Sequence, residues 1–155
     1  MIEGIFEVHL PVRNLKRSIE FYKRLDLEFS WRDEETAFFW IEDKKSQLGL
    51  WEGKEVDTPY HPSLRHMAFR VSYEGLKNSV KWLNSIGIAP VPFSKGRTAD
   101  PFIRPWSGHG SVYFQDPDVN SLELMCTVEV PEKLKNSHAK LSIDEWEESI
   151  NDVVE

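Results

Sequence analysis

Three side chains able to bind a metal ion interrupt otherwise apolar strand patterns. Glu7 lies in FEVHL, His66 in RHMAF and Glu123 in LELM, each beside large apolar residues. One imidazole and two carboxylates form a hard, oxygen-rich donor set of the kind that binds Mn²⁺, Fe²⁺, Mg²⁺ or Zn²⁺. Each residue alone has a simpler interpretation, because antiparallel strands often turn one polar face to solvent. The metal hypothesis therefore depends on whether the fold brings the three together.

A second histidine competes with Glu7 for a place in this set. His9 is two residues from Glu7, so on a strand the two side chains share a face. Three alternatives follow: Glu7 is the ligand, His9 is the ligand, or neither binds metal. If Glu7 is the ligand, His9 contacts substrate or supports Glu7.

An internal repeat favours Glu7. LKRSIEFY (15–22) matches LKNSVKWL (76–83), and both segments have the apolar spacing of an amphipathic helix. Each follows an alternating apolar segment that predicts a strand. Aligning the valines that end these strands, Val12 and Val71, pairs His66 with Glu7 rather than with His9.

The rest of each repeat predicts three further strands. Aligning FWIEDKKSQLGLW (39–51) with YFQDPDVNSLELM (113–125) pairs Gly49 with Glu123. The sequence therefore predicts an α+β fold of two β-α-β-β-β modules, roughly 2–52 and 63–127, joined by a linker at 53–63. We expect the modules to form one open, curved mixed sheet, on whose concave face Glu7, His66 and Glu123 converge. A site with three protein ligands leaves positions free for substrate.

A long loop, SKGRTADPFIRPWSG (94–108), interrupts the second module and offers substrate contacts. Arg97 and Arg104 are candidates to clamp an anionic group in bidentate fashion, although loop arginines are often simply solvated. Trp106 is a candidate apolar wall, and His109 a candidate proton shuttle.

Composition excludes several classes of function. The 155-residue chain has a formal net charge of −7. Nucleic-acid-binding proteins are usually basic, so this charge argues against binding to DNA or RNA. No apolar run is long enough for a transmembrane helix, and no secretion signal is visible at the N-terminus. The single cysteine, Cys126, allows no intrachain disulfide, so we expect a cytoplasmic protein.

Residues 1–130 are expected to form one domain, followed by a tail at 131–155. In the tail, Ser142 and Glu145 have the spacing of a capping box, and apolar residues then recur at helical spacing. This pattern predicts an amphipathic helix that packs on its own domain or on a second subunit. Its acidic polar face argues against binding to an anionic membrane.

Three segments between residues 4 and 127 carry a family resemblance: HLPVRNLKRSIEFYKRLDLEF, RHMAFRV and SVYFQDPDVNSLELM. On these segments the chain resembles the vicinal oxygen chelate superfamily, which includes glyoxalase I, fosfomycin-resistance thiol transferases and extradiol dioxygenases. The resemblance implies that His66 and Glu123 are metal ligands. The family's first ligand, usually His or Gln, precedes the helix-starting Asp or Asn by seven residues, which from Asn14 gives Glu7. The family's occasional fourth ligand falls on Gly49 and is absent, and Val119 stands where the family usually has Gly.

The resemblance implies a homodimeric, divalent-metal-dependent enzyme that acts on a small molecule chelated through two neighbouring oxygens. Glu123 and His109 are then the candidate catalytic residues. The reaction is a lyase, thiol transferase or dioxygenase reaction, and the metal is Mn, Fe, Zn or Mg. The alternative, from a different class, is a metal-free binding protein that sequesters a drug on the same fold.

Overall fold

The computed structural model describes residues 4–54, 56, 65–94 and 98–151. The chain divides into two compact units, one formed by 1–65 with 116–120 and the other by 66–115 with 121–155. Most of the predicted linker lies outside the described residues, as does Arg97. No helix within the described ranges is long and apolar enough to cross a membrane.

The first unit contains the predicted β-α-β-β-β module. Its sheet has the order β1-β4-β3-β2, in which β1 runs parallel to β4 and the other pairs are antiparallel. The elements are β1 (Glu7–Val12), α1 (Leu15–Arg24), β2 (Glu28–Arg32), β3 (Thr36–Glu42) and β4 (Ser46–Glu52).

Helix α1 forms where the repeat predicts it. The Asn14 side chain accepts a hydrogen bond from the Arg17 amide at 2.9 Å and so caps the first turn. The predicted stripe of Leu15, Ile19 and Tyr22 is buried. Leu10, Val12, Leu48 and Leu50 of the sheet are buried with them, and the alternate face of β1 carries Glu7 and His9.

The second unit repeats the module and adds β7, β10 and α4. Its six-stranded sheet has the order β10-β7-β8-β9-β5, with β6 paired to β8, and β5 runs parallel to β9. The elements are β5 (His66–Arg70), α2 (Tyr73–Lys77), α3 (Ser79–Ser85), β6 (Pro90–Val91), β7 (Phe102–Arg104), β8 (His109–Gln115), β9 (Ser121–Thr127), β10 (Leu141–Ser142) and α4 (Ile143–Asn151).

Three details differ from the sequence prediction. The helix matching α1 is divided into α2 and α3 at Asn78, whose side-chain amide donates to the Glu74 carbonyl. The first of the three strands expected after the second helix is reduced to Pro90–Val91, because prolines at 90 and 92 lack the amides that a ladder needs. Part of the expected loop is instead strand β7 followed by a 3₁₀ helix, Pro105–Ser107.

The turn at residues 116–120 belongs to the first unit although its flanking strands belong to the second. The Asp116 carboxylate accepts hydrogen bonds from the backbone amides of Asp118 and Asn120, both at 2.9 Å, and from the hydroxyl of Tyr22 at 3.0 Å. Asp118 binds the Arg17 guanidinium at 2.8 Å. Buried carboxylates thus join this turn to α1.

Val119, in the same turn, has φ +65° and a side chain that is 58% exposed. A β-branched residue is strained in this left-handed conformation, which glycine adopts freely. We expect Val119→Gly to raise the free energy of unfolding by about 1 kcal/mol, because the strain relieved exceeds the added entropy of the unfolded chain. Urea denaturation measures this. Val119→Ala, which retains a Cβ, is the control and should gain less; a glycine variant that unfolds at lower urea than wild type would contradict the prediction.

The C-terminal helix predicted from the tail is present as α4, and its capping box is confirmed. The Glu145 amide donates to the Ser142 hydroxyl at 3.2 Å, and the Ser142 amide donates to the Glu145 carboxylate at 2.7 Å. Glu147 accepts hydrogen bonds from Lys77 and Tyr73 of α2, and these bonds, chiefly the one from Lys77, lower the pKa of Glu147. The α+β class, the two modules and the C-terminal helix are therefore confirmed.

Trp146 anchors α4, since it is only 3% exposed. We expect Trp146→Ala to lower the free energy of unfolding by about 3–5 kcal/mol through lost burial and a residual cavity. Trp82→Ala is a matched control, because Trp82 lies on α3 and is 37% exposed. Denaturation followed by circular dichroism should show a clearly smaller loss for the control, and equal losses would show that α4 is not anchored by this ring.

Candidate metal centre

The second unit places its polar strand residues on one face. In the ladders, Glu123 stands opposite Ala68 of β5 and Tyr113 of β8, while His66 stands opposite Ser121. Residues directly opposite in a ladder point to the same side of the sheet. The other side carries the buried apolar residues Met67, Phe69, Val112, Phe114, Leu122 and Leu124.

His66 and Glu123 meet on this polar face. The His66 Nε2 lies 3.0 Å from Glu123 Oε2, and the Ser121 hydroxyl lies 3.2 Å from His66 Nδ1. Contacts at both ring nitrogens fix the plane of the imidazole. The Glu123 side chain is buried, whereas His66 is partly exposed. The structure thus brings together two of the three predicted metal ligands.

Arg104 completes the surroundings of Glu123. Its Nη2 lies 3.0 Å from Glu123 Oε1 and also donates to the Ser111 hydroxyl, and its Nη1 lies 3.4 Å from the Tyr113 hydroxyl. Its Nε is buried and has no hydrogen-bond partner among the described residues. The sequence suggested Arg104 as a clamp for an anionic substrate, and the structure shows its guanidinium on the Glu123 carboxylate.

Tyr113 shares this environment. Burial, with the negative charge of Glu123 as a further cause, raises the pKa of the Tyr113 phenol. The phenol therefore keeps its proton at neutral pH and can donate a hydrogen bond. Sequence reasoning missed Tyr113 and Ser111, although the alternation in GSVYFQD puts both on one face of a strand that pairs with the Glu123 strand.

In the first unit, Glu7 and His9 form a second imidazole–carboxylate pair. His9 Nε2 is hydrogen-bonded to Glu7 Oε1, and Gln47 donates to Glu7 Oε2. These two bonds lower the pKa of Glu7, so its carboxylate is ionised at neutral pH. Gln47, another residue that sequence reasoning missed, is opposite Glu7 in the β1–β4 ladder.

The two ladders have the same register. Glu7 is opposite Gln47 and His9 is opposite Gly49 in the first unit, while His66 is opposite Ser121 and Ala68 is opposite Glu123 in the second. With the alignment that pairs Gly49 with Glu123, Glu7 is the counterpart of His66, and His9 of Ala68. The register predicted from the internal repeat is confirmed.

The remaining predicted residues have the following positions. His109 is the first residue of β8, opposite Arg104 and Thr127. Trp106 lies in the 3₁₀ helix, where its ring is 5.8 Å from that of His138. Arg97 lies outside the described residues.

Comparison with known proteins identifies the family. The metallothiol transferase FosB of Staphylococcus saprophyticus is 31% identical over 157 residues, which cover 96% of this chain and 94% of the relative. The chain belongs to the vicinal oxygen chelate superfamily. No family profile matches it.

Solved structures agree with this membership of the vicinal oxygen chelate superfamily. An integron cassette protein from the mobile metagenome of the Halifax Harbour sewage outfall superposes with a TM-score of 0.64 at 28% identity, over 81% of this chain and 99% of that one. The fosfomycin resistance protein FosX of Listeria monocytogenes, solved with Mn(II) and sulfate, has a TM-score of 0.60 at 20% identity, over 87% and 96%. The latter likeness concerns the fold.

The donor chemistry of the two pairs fits a divalent metal. His66 and Glu123 present an imidazole nitrogen and a carboxylate oxygen side by side, and Glu7 and His9 do the same in the other unit. Within the described parts of the chain, no single cluster holds three or more His, Cys, Asp or Glu side chains.

Proposed function

We propose that this protein is a divalent-metal-dependent enzyme that modifies a small electrophile bearing neighbouring oxygens, by thiol transfer to a phosphonate epoxide such as fosfomycin. Glu7, His66 and Glu123 are the proposed metal ligands. The observation that carries the proposal is the His66–Glu123 pair, 3.0 Å apart on the polar face of the second sheet. The similarity to a metallothiol transferase along nearly the whole chain supports this reaction class over the lyase and dioxygenase reactions.

The proposed ligands are all hard donors, which favour Mn²⁺, Fe²⁺, Mg²⁺ or Zn²⁺. When bound, such an ion supplies Lewis-acid stabilisation of a substrate oxygen. Two carboxylates and one neutral imidazole balance its charge. Affinity for an anionic phosphonate then depends on positively charged side chains. Arg104, whose guanidinium lies beside Glu123, is the side chain proposed to bind the phosphonate.

In the proposed reaction, the thiolate sulfur of a thiol co-substrate attacks an epoxide carbon. The bond between that carbon and the ring oxygen breaks, and the oxygen takes a proton. The chain supplies the positioning and the proton. Tyr113, which stays protonated, is placed to donate a hydrogen bond on this face, and His109 is the proposed proton shuttle at the start of β8. Trp106 and Arg97 complete the proposal as substrate contacts.

A second function is favoured by one observation. The Arg104 guanidinium pairs with the Glu123 carboxylate, so the protein itself supplies the counter-charge of Glu123. A protein that sequesters a small molecule on this face would therefore need no metal ion to compensate Glu123.

Thiol consumption with fosfomycin distinguishes the two functions. We expect turnover by protein loaded with Mn²⁺, its loss with a chelator, and its recovery on adding Mn²⁺. Calorimetry with the metal-free protein is the companion measurement. Fosfomycin binding without metal and without turnover would support sequestration. If a panel of thiols gave no turnover and fosfomycin did not bind, the thiol-transfer proposal would be overturned.

We also propose a cytoplasmic homodimer, consistent with the free and buried Cys126. Light scattering after size-exclusion chromatography tests the assembly. A mass near the 18.1 kDa of one chain at micromolar concentration would contradict it.

A further inference from the structure

We propose that the C-terminal tail and the long loop together form a binding site for the zwitterionic head group of an amino acid, its ammonium and its carboxylate. The site lies wholly within the second unit, and it requires neither a metal ion nor the proposed reaction. It is an open cavity of about 390 Å³, a volume within the usual range of small-molecule sites. The residues that carry the argument, all of them in the lining, are Phe93, Asp100, Phe102, Lys140, Ser142 and Glu145.

Strand β10 brings the tail to this cavity. It pairs antiparallel with β7, and in that pairing Ser142 is opposite Phe102. Lys140 directly precedes β10, and α4 begins directly after it, anchored by the buried ring of Trp146. The pairing therefore places Lys140 and Glu145, which are separate in the tail sequence, in the lining of one cavity.

The positive charge of Lys140 is held on one wall of the cavity. Its ammonium lies 3.8 Å from the centroid of the Phe93 ring and 5.2 Å from that of the Phe102 ring. Attraction between the ammonium and the two ring faces favours this position, and the Lys140 side chain is half-buried. The ammonium is thus positioned to pair with a ligand carboxylate that enters the cavity.

Two carboxylates, those of Asp100 and Glu145, line the same cavity. The Ser142 amide donates to the Glu145 carboxylate at 2.7 Å, and this bond is the main cause that lowers the pKa of Glu145. Glu145 is therefore ionised at neutral pH. With Lys140 on the aromatic wall, the cavity presents charges of both signs. Charge complementarity favours a ligand that carries both an ammonium and a carboxylate over a simple anion or cation.

The cavity adjoins the polar face that carries Glu123. Phe102 is opposite Ser111 in the β7–β8 ladder, and Tyr113, two residues after Ser111, is opposite Glu123. Residues opposite each other or two apart on a strand share one side of the sheet. The Tyr113 ring centroid lies 5.1 Å from that of Phe93 and 6.3 Å from that of Phe102. The aromatic wall of the cavity therefore continues to Tyr113, and an amino acid bound in the cavity lies next to the polar face.

NMR titration of the ¹⁵N-labelled, metal-free chain with L-serine tests the site. We expect saturable shifts of backbone amides in the cavity lining, among them Asp100, Phe102 and Ser142. Ethanolamine lacks the carboxylate of serine and 3-hydroxypropionate lacks its ammonium, so each should bind about tenfold more weakly or worse. The absence of a saturable shift with L-serine, or equal binding of either analogue, would overturn the proposal.

Lys140→Met keeps a long side chain beside the two rings but removes the charge, and we expect it to weaken L-serine binding about tenfold or more. Asp100→Asn should do the same by removing a partner of the ammonium, and it covers the case in which Lys140→Met does not fold. Lys133→Ala is the matched control, because Lys133 is exposed in the same tail and lies outside the cavity lining. It should bind as wild type does. A folded Lys140→Met protein with wild-type affinity would overturn the proposal.

Two sources share this chemistry: the thiol co-substrate of the proposed reaction, or a separate amino-acid ligand. L-Cysteine distinguishes them, and because it has the same head group it should compete with L-serine for the cavity. If the head group belongs to the co-substrate, Lys140→Met should raise the KM for L-cysteine about tenfold with kcat little changed. An unchanged KM, with L-serine binding still lost in this variant, would support a separate ligand. L-Cysteine that did not compete with L-serine would overturn the site itself and leave the proposed function standing.

Discussion

Replacing Glu123 with alanine is expected to abolish specific metal binding and to lower the free energy of unfolding by about 3–5 kcal/mol. Glu123 is 3% exposed, and its two carboxylate oxygens are bonded to Arg104 and His66. The variant leaves the Arg104 guanidinium largely buried beside Ser111 and Tyr113 without its counter-charge. The loss in stability follows from that unpaired charge and occurs without any metal. Urea denaturation of the metal-free protein measures it.

Glu123→Gln separates the two consequences. The amide oxygen can still accept a hydrogen bond from Arg104, so we expect a smaller loss of stability than in Glu123→Ala. The negative charge needed for the metal is gone, so binding should fall as far as in the alanine variant. Metal-free Glu123→Ala protein that unfolds at the wild-type urea concentration would contradict the buried ion pair.

Replacing Asp116 with alanine should lower the free energy of unfolding by about 3–5 kcal/mol. Its carboxylate is 4% exposed and accepts bonds from two backbone amides, the Tyr22 hydroxyl and the Asn120 side chain. The variant would leave these buried donors without an acceptor. Glu42→Ala is the matched control, because residue 42 aligns with 116 in the repeat and is exposed. It should change stability by less than about 0.5 kcal/mol.

The Asp116 effect should depend on pH. Burial raises the pKa of Asp116 above its usual 3.8, so in the window between the two values the folded protein binds more protons than the unfolded chain. This contribution favours the folded state at low pH and is lost as pH rises through the folded pKa. The stability deficit of Asp116→Ala should therefore be larger near pH 4 than at pH 7. A deficit that grows on going to pH 7 would contradict the raised pKa.

The features of the fold that follow from periodicity could be predicted from the sequence. Alternation in strands β1 and β5 and the helical spacing after Asn14 are local patterns, and the repeat fixed the register that pairs Glu7 with His66. The break at Asn78 and the short strand at Pro90–Val91 were missed because apolar spacing reports neither a side-chain hydrogen bond to a backbone carbonyl nor the amides that proline lacks.

The candidate site was predicted less completely for a different reason. Residue types indicated Glu123 and His66, but the pairing of Arg104 with Glu123 requires β7 to lie beside β8, and the sequence suggested a loop there. The sequence likewise did not indicate that the His9 ring lies close to Gly49, its partner in the β1–β4 ladder, because this contact depends on strand register and side-chain position.

Metal content is the most direct test of the account. Wild-type protein, His66→Ala and Glu123→Gln are each loaded with Mn²⁺, dialysed and analysed for bound metal beside a check of folding by circular dichroism. The proposed centre predicts one equivalent in wild type and little in either variant, with all three folded. Equal metal content in wild type and the folded variants would contradict it.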